Sequence, residues 1–379
     1  MQIFAVFISW FFWTLMVAWF STNLLKPHYG RPYPVHFKYE PSFFNHFMHW
    51  DAVWYTHIAV YGYRNSTVHI PTIAFFPGYP LIMKFIHIVV GKDISFLYIL
   101  PAVIFQGASM YMLYLLLKAL SINDKTIHMT LLLFSFYPSS FFGMSSYPVS
   151  ALNFFAISAF YFILKREYLI ASILAGLGTL FGPLAVFLSV VIFFDIVKSK
   201  KTTDYPKAIL YSVLSVWGFI GFVLYSFYKF KDPIAFIHAQ DWWGKPSLLK
   251  RISNILMLIP HDIPSHPIST PLGVYEFDHF INLLIMIAYI LIIVFAIDRL
   301  PLHYTLFATL ILLEYLWALG GIFINTSAFA RLSYISVPIF IAISYLLEDE
   351  PWLIGVLTPL FFFGNFVLEA LFVKNYWSI

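Results

Sequence analysis

The densest chemistry in the chain lies in His49-Trp50-Asp51-Ala52-Val53-Trp54-Tyr55-Thr56-His57, followed by Tyr61-Gly62-Tyr63. A carboxylate among aromatic residues suits proton abstraction, because partial burial strengthens its hold on a proton. If the segment is helical, Trp50, Trp54 and His57 share one face, and Asp51 and Tyr55 lie one turn apart. An acid, two imidazoles and stacking rings then stand together. The plain alternative is an aromatic belt at a membrane surface with Asp51 as a helix cap. His49 and His57 raise the question of zinc, but three convincing ligands are not gathered, so no metal site is expected.

Three further groups carry polar or aromatic function. Phe75-Phe76-Pro77-Gly78-Tyr79-Pro80 places prolines on both sides of Gly-Tyr, which prevents a continuous helix and makes a rigid aromatic turn. Tyr79 is its candidate ligand-binding residue; the turn can equally be the end of an amphipathic helix. Ser145-Ser146-Tyr147-Pro148 offers the Ser146 and Tyr147 hydroxyls to a polar group, or simply links two spans. In the segment Asp232 to Lys245, His238, Gln240, Trp242, Trp243 and Lys245 combine hydrogen bonding, ring stacking and a point charge, a mixture that holds sugars and phosphates. A solvated loop with interfacial tryptophans is the alternative. Arg331, the only basic residue between Arg299 and Lys374, is a candidate phosphate clamp or a snorkelling anchor. No P-loop, dinucleotide fingerprint, HExxH or Gly-x-Ser-x-Gly elbow is present.

The elements that position these residues follow from composition. Of 379 residues, 61% are hydrophobic and 11% charged, with a mean hydropathy of +0.81. Water cannot be the main solvent of such a chain. A net charge of +4, dispersed along the sequence, gives no nucleic-acid footprint. The absence of Cys excludes disulfides, thiolate metal sites and thiol nucleophiles. The run from Ile3 to Leu25 has no basic residue before it, so it reads as a spanning helix, not a cleaved signal. Further spans are expected near 96–117, 127–144, 149–164, 168–181, 184–197, 208–228, 281–297, 302–320, 333–347 and 352–372, with breaks at Ser145 to Pro148 and at Gly182-Pro183. This is an all-α polytopic membrane protein of about eleven spans in one domain, 1–379. Residues 26–95 form a long first loop in which Ile73 to Val90 is interfacial or re-entrant, and 229–280 form a second loop. Lys118, Lys125, Lys165, Arg166, Lys198, Lys200, Lys201, Lys207 and Arg299 fall in short turns on the opposite side, which puts both loops outside the cytoplasm.

Taken in order, Trp50-Asp51 through Tyr55 and Gly62-Tyr63, Phe75 to Pro80, Tyr137-Pro138-Ser139-Ser140 through Tyr147, Asp232-Pro233 to Trp243, and Arg331 make the chain resemble the PIG-V-like mannosyltransferase family, as a prokaryotic-type member of the GT-C class. The resemblance covers most of the chain. It implies a GT-C-like fold and transfer of mannose, with inversion, from a polyprenyl- or dolichyl-phosphate carrier. The acceptor is a glycolipid, glycan or protein hydroxyl on the extracytoplasmic or luminal face. It implies Asp51 as the catalytic acid residue and a bacterial or archaeal plasma membrane as the setting. Two positions depart from the family: Tyr147-Pro148-Val149-Ser150 lacks an acidic residue found in relatives, and Gly182-Pro183 stands where relatives have Arg-Pro.

The chemistry agrees with these residue types. A lipid phosphate is an adequate leaving group, so the protein must supply a carboxylate to take the acceptor proton and cations to stabilise phosphate charge. Asp51 is the expected base; Arg331 and Lys245 are expected on phosphate. His49, Trp50, Tyr55, His57, Tyr79, Ser146, Tyr147, His238, Gln240, Trp242 and Trp243 are expected to bind donor or sugar. The scheme calls for no cofactor, and its partners are the lipid-linked donor, the acceptor and membrane lipid. A transporter or flippase of a lipid-linked substrate, and a non-catalytic membrane scaffold, are the alternatives.

Overall fold

The computed structural model describes residues 2–24, 37–65, 71–198, 204–240, 272–319 and 328–376, and among them every regular element is helical. The α-helices are α1 (Gln2–Leu24), α2 (Asp51–Tyr61), α3 (Gly78–Val90), α4 (Ser95–Ala119), α5 (Asp124–Ser135), α6 (Val149–Leu164), α7 (Tyr168–Thr179), α8 (Leu188–Val197), α9 (Asp204–Leu214), α10 (Trp217–Phe230), α11 (Ala235–His238), α12 (Leu272–Phe295), α13 (Leu302–Leu319), α14 (Phe329–Tyr334), α15 (Val337–Asp349) and α16 (Ile354–Val373). Among the described residues three stretches are long and apolar enough to cross a membrane, Ile3–Leu24, Ser95–Ala119 and Pro351–Val373, and the bent pair Asp204–Leu214 and Trp217–Phe230 makes a fourth if it is one span. Each satisfies its backbone polar groups internally, as hydrocarbon requires. Large apolar side chains such as Phe4, Phe12 and Trp19 on α1, Leu224 and Tyr228 on α10, and Leu360 and Phe363 on α16 face outward from the bundle. The chain is an α-helical membrane protein.

Several expected spans are interrupted. The span expected over 127–144 ends as a helix at Ser135, and the chain continues as a buried irregular stretch with a 3-10 turn at Ser140–Met144. Pro138 supplies the break, since it lacks an N–H and restricts Tyr137 before it. Such backbone is tolerated at depth only inside protein, and here residues 136–152 are all buried. The span expected over 208–228 is two helices, α9 and α10, bent by 51°. The span expected over 333–347 begins only at Val337, after a separate short α14.

In the first loop, α3 opens at Gly78 with Pro80 in its first turn, so the Phe75 to Pro80 motif starts a helix and does not end one. Leu81, Phe85, Ile88 and Val89 form an exposed apolar stripe on α3, while Tyr79 and Met83 are buried. A Cβ on Gly78 would meet the Phe181 ring and the Leu180 carbonyl at 2.8 and 2.9 Å. The Gly78 N–H donates to that carbonyl at 2.7 Å, so the absence of a side chain lets the loop dock onto the break beside Gly182-Pro183.

Polar side chains fix the core. Asn365 on α16 accepts from Trp13 Nε1 at 2.8 Å and donates to Tyr137 O and Ser140 Oγ at 3.1 and 3.0 Å. It thereby ties α1 and α16 to the irregular stretch after α5. Far along α6 from that stretch, Asp195 on α8 accepts from Tyr168 Oη on α7 at 2.9 Å, lies 3.2 Å from His303 Nε2 on α13, and receives Lys198 Nζ.

Candidate functional site

Asp51 is the first residue of α2, and Arg331 lies in the middle of α14. Arg331 Nη1 donates to Asp51 Oδ2 at 3.0 Å, across 280 positions of sequence, and each side chain stays about a quarter exposed (23% and 25%). The pair is desolvated enough to matter and open enough to be reached. The guanidinium lies over two rings, Phe142 at 5.8 Å and Tyr147 at 5.6 Å. Tyr147 also accepts the Asp51 N–H at 2.9 Å, filling one of the unpaired donors at the start of α2. One phenol thus holds the Asp51 backbone while its ring supports the arginine paired with that carboxylate.

Both members are set by strained backbone. Trp50, the residue before Asp51, has φ 55°, and Ala328, which caps α14, has φ 70°. These left-handed conformations cost energy in residues with a Cβ and persist only where surroundings impose them. The surroundings of α14 can be named. Ser139 Oγ donates to Ala330 O at 2.7 Å, Asn282 Oδ1 accepts the Ala330 N–H at 2.9 Å, Tyr137 Oη bonds Ser333 Oγ at 2.7 Å, and Gln106 Nε2 donates to Tyr334 Oη at 2.7 Å. The Tyr137-Pro138-Ser139-Ser140 motif is therefore the cradle of the arginine helix.

Tyr55, one turn after Asp51, packs with Phe75, Tyr79 and Tyr147 at 5.4 to 6.1 Å. Burial, reinforced by the Asp51 charge, pushes its phenol up and keeps it a neutral donor. Burial opposes the charge on Arg331, but the charge and hydrogen bond of Asp51 outweigh it and hold the guanidinium above its ordinary range. Below these groups, Phe372 at the end of α16 packs on Phe141, Phe142, Tyr147 and His49 at 5.4 to 6.0 Å and forms an aromatic floor.

The structure brings Asp51, Tyr55, Tyr79, Tyr147 and Arg331 into one neighbourhood and sets other expected residues differently. His49 turns to Phe372, where burial, with His46 nearby, pushes its imidazole down to about 4. Ser146 is fully buried, its hydroxyl lying 3.1 Å from Met48 Sδ and hydrogen-bonded to the Tyr79 phenol. Tyr79 Oη donates to Tyr98 O at 2.9 Å, so only its ring serves the aromatic wall. Trp50 is buried at the cap of α2. His57 packs between Trp54 and Tyr61, and burial, then Arg64, pushes its imidazole down. His238 is exposed and its Nδ1 lies 2.8 Å from Asp232 Oδ2; Gln240 is half-buried two residues on. Their segment is anchored through Phe236, which packs on Phe76, Phe219 and Phe222. Trp242, Trp243 and Lys245 lie outside the described residues.

No protein-family model matches the chain, and no curated protein matches it. The site therefore stands on its own geometry. Among the described residues no three His, Asp or Glu side chains gather as a metal-ligand set. The sequence reading missed Phe142, Gln106 and Asn282. Gln106 and Asn282 carried a signal, being amides inside otherwise apolar runs, where a polar group must find a partner. Phe142 carried none, since it is one phenylalanine among 43.

Proposed function

We propose that the chain is a glycosyltransferase that takes a hexose, mannose by resemblance, from a polyprenyl- or dolichyl-phosphate carrier and transfers it with inversion to a hydroxyl acceptor. The proposal includes a GT-C-like bundle of about eleven spans, counting the shorter apolar helices, with the site at the extracytoplasmic face. The observation that supports it most is the partly exposed Asp51–Arg331 pair, walled by Tyr55, Tyr79 and Tyr147 at the head of the bundle.

The step balances with these groups. The Asp51 carboxylate takes the proton of the acceptor hydroxyl as its oxygen attacks the anomeric carbon. The bond from that carbon to the carrier phosphate breaks, and its electron pair stays on phosphate oxygen. Arg331 has five N–H donors and gives one to Asp51. Among the described residues its remaining N–H groups have no other partner, so one guanidinium can hold the base and donate to phosphate oxygens of the leaving group. The exposed stripe of α3 lies in the same loop as Tyr79 and suits a lipid-carried donor.

The test is transfer from radiolabelled polyprenyl-phosphate hexoses by purified protein in native-lipid nanodiscs, with membrane extract as acceptor. Wild type should give labelled product, and D51N should lower turnover by about 10²- to 10⁴-fold. A donor that binds but yields no product, with extract validated by another transferase, shifts the reading to a lipid-substrate transporter or a non-catalytic scaffold. D51N with wild-type turnover removes Asp51 from the chemistry.

A further inference from the structure

A second acidic side chain has no place in the scheme above. Glu369 on α16 is fully buried, and among the described residues neither of its carboxyl oxygens has a hydrogen-bond partner. Asn365, Glu369 and Phe372 follow the i, i+4, i+7 spacing and share one helix face. Asn365 holds Ser140 and Tyr137. Phe372 packs on Phe141, Phe142 and Tyr147. Glu369 is thus bracketed, one turn to each side, by residues that grip the turn Ser140–Met144.

The charged and titratable groups on every element packed against α16 are few. Helix α1 has none, and the turn Ser140–Met144 has none. The adjoining stretch offers only the phenols of Tyr137 and Tyr147. Helix α5 carries Asp124, Lys125 and His128, all in its first two turns. The 3-10 turn Phe43–Phe47 carries His46, which with His49 meets the end of α16 at Val373 and Phe372. Lys374, the next residue, donates its Nζ to Thr22 O at 2.7 Å. None of these gives Glu369 an ion pair among the described residues. An ionised carboxylate here would be an uncompensated charge in an apolar medium, which proteins avoid by keeping the group neutral. A neutral acid has one O–H to give, and the same core holds acceptors without donors, Gln106 Oε1 and Thr14 Oγ1. Gln106 and Trp10 both close on Gly143 in that turn.

We propose that Glu369 is a reversible proton-binding site inside the membrane domain, and that its proton keeps the Phe372 floor seated under Tyr147 and Arg331. Removing the proton places an unpaired charge one turn from Phe372. The end of α16 must then shift to bring water or a cation to it, and the floor moves with it. This inference does not depend on the transferase reading.

The experiment uses purified full-length protein in native-lipid nanodiscs without substrate. Infrared spectra near neutral pH should show a carboxylic-acid C=O band in wild type that is lost in E369Q and in E369L. The leucine variant suits the apolar surroundings and keeps the comparison available if E369Q does not fold. As pH is raised, disappearance of the band should coincide with a change in the near-ultraviolet circular dichroism of the aromatic floor, a change missing in E369L. If wild type shows no carboxylic-acid C=O band that the variants lose, and the variants instead lose carboxylate stretches, Glu369 is ionised and the proposal is overturned. A band that persists until unfolding overturns reversibility, and a band that titrates with no aromatic change overturns the link to the floor.

Discussion

Arg331 is held from two sides, by the Asp51 carboxylate and by the rings of Phe142 and Tyr147. Lysine keeps the charge but loses the planar fork and the ring stacking. Arg331→Lys and Arg331→Gln should both lower kcat/KM by roughly 10- to 100-fold, about 1.5–3 kcal/mol, in single-turnover transfer from a labelled donor. Equal activity for the lysine variant would show that a point charge suffices and that the fork is not used. His49 governs a different property. Its folded-state value near 4 lies below the ordinary 6.5, so between these limits the unfolded chain binds a proton that the folded chain refuses. Its contribution is therefore complete above about pH 6.5 and is lost as pH falls toward 4. Thermal midpoints measured across that window should fall less steeply in H49Q than in wild type.

At the scale of elements, a close backbone approach at Gly78 is one of the contacts that hold the first loop in place. Gly78→Ala puts a methyl against the Phe181 ring and the Leu180 carbonyl. Overpacking of this kind costs about 1–3 kcal/mol, and α2 packs on α3, so Asp51 moves with the loop. The expected result is a lower thermal midpoint together with a loss of donor affinity; a drop in stability alone would mean that α2 is positioned independently. The same elements show what sequence can and cannot convey. Asp51, Tyr147 and Arg331 stood out as polar or aromatic residues beside apolar runs, and Ser145 to Pro148 and Gly182-Pro183 marked breaks, because local backbone chemistry is written locally. The pairing of Asp51 with Arg331 was not legible, since no spacing rule reaches across 280 residues. Nor was the burial of Ser146, whose hydroxyl gives no hint that it lies against a thioether. The interrupted span over 127–144 was misjudged because hydropathy counts apolar residues and cannot see which of them are buried in irregular backbone.

For the molecule as a whole, α6 leads from Tyr147 beside the site to the end where α7, α8 and α13 meet, about 24 Å for its 16 residues at 1.5 Å each. At that end Asp195 takes hydrogen bonds from Tyr168 and Lys198 and lies against His303, and both Asp195 and His303 are nearly inaccessible. Asp195→Ala takes the acceptor from the half-buried Tyr168 and removes the partner of the buried His303, and should cost about 1–3 kcal/mol. The readout is the thermal midpoint, with kcat per folded molecule unchanged. A changed kcat would mean that the two ends of the bundle communicate.

The long separation between Asp51 and Arg331 also orders events in time. A growing chain makes α1 through α13 before the arginine is added, and until then Asp51 lacks this cation and Phe142 and Tyr147 lack the guanidinium they stack on. The last helix follows later still, bringing Asn365 to lock α1 and Phe372 to close the floor. A half-made copy consequently lacks both the ion pair and its floor, and the cluster is whole only after α14 and α16 have been added.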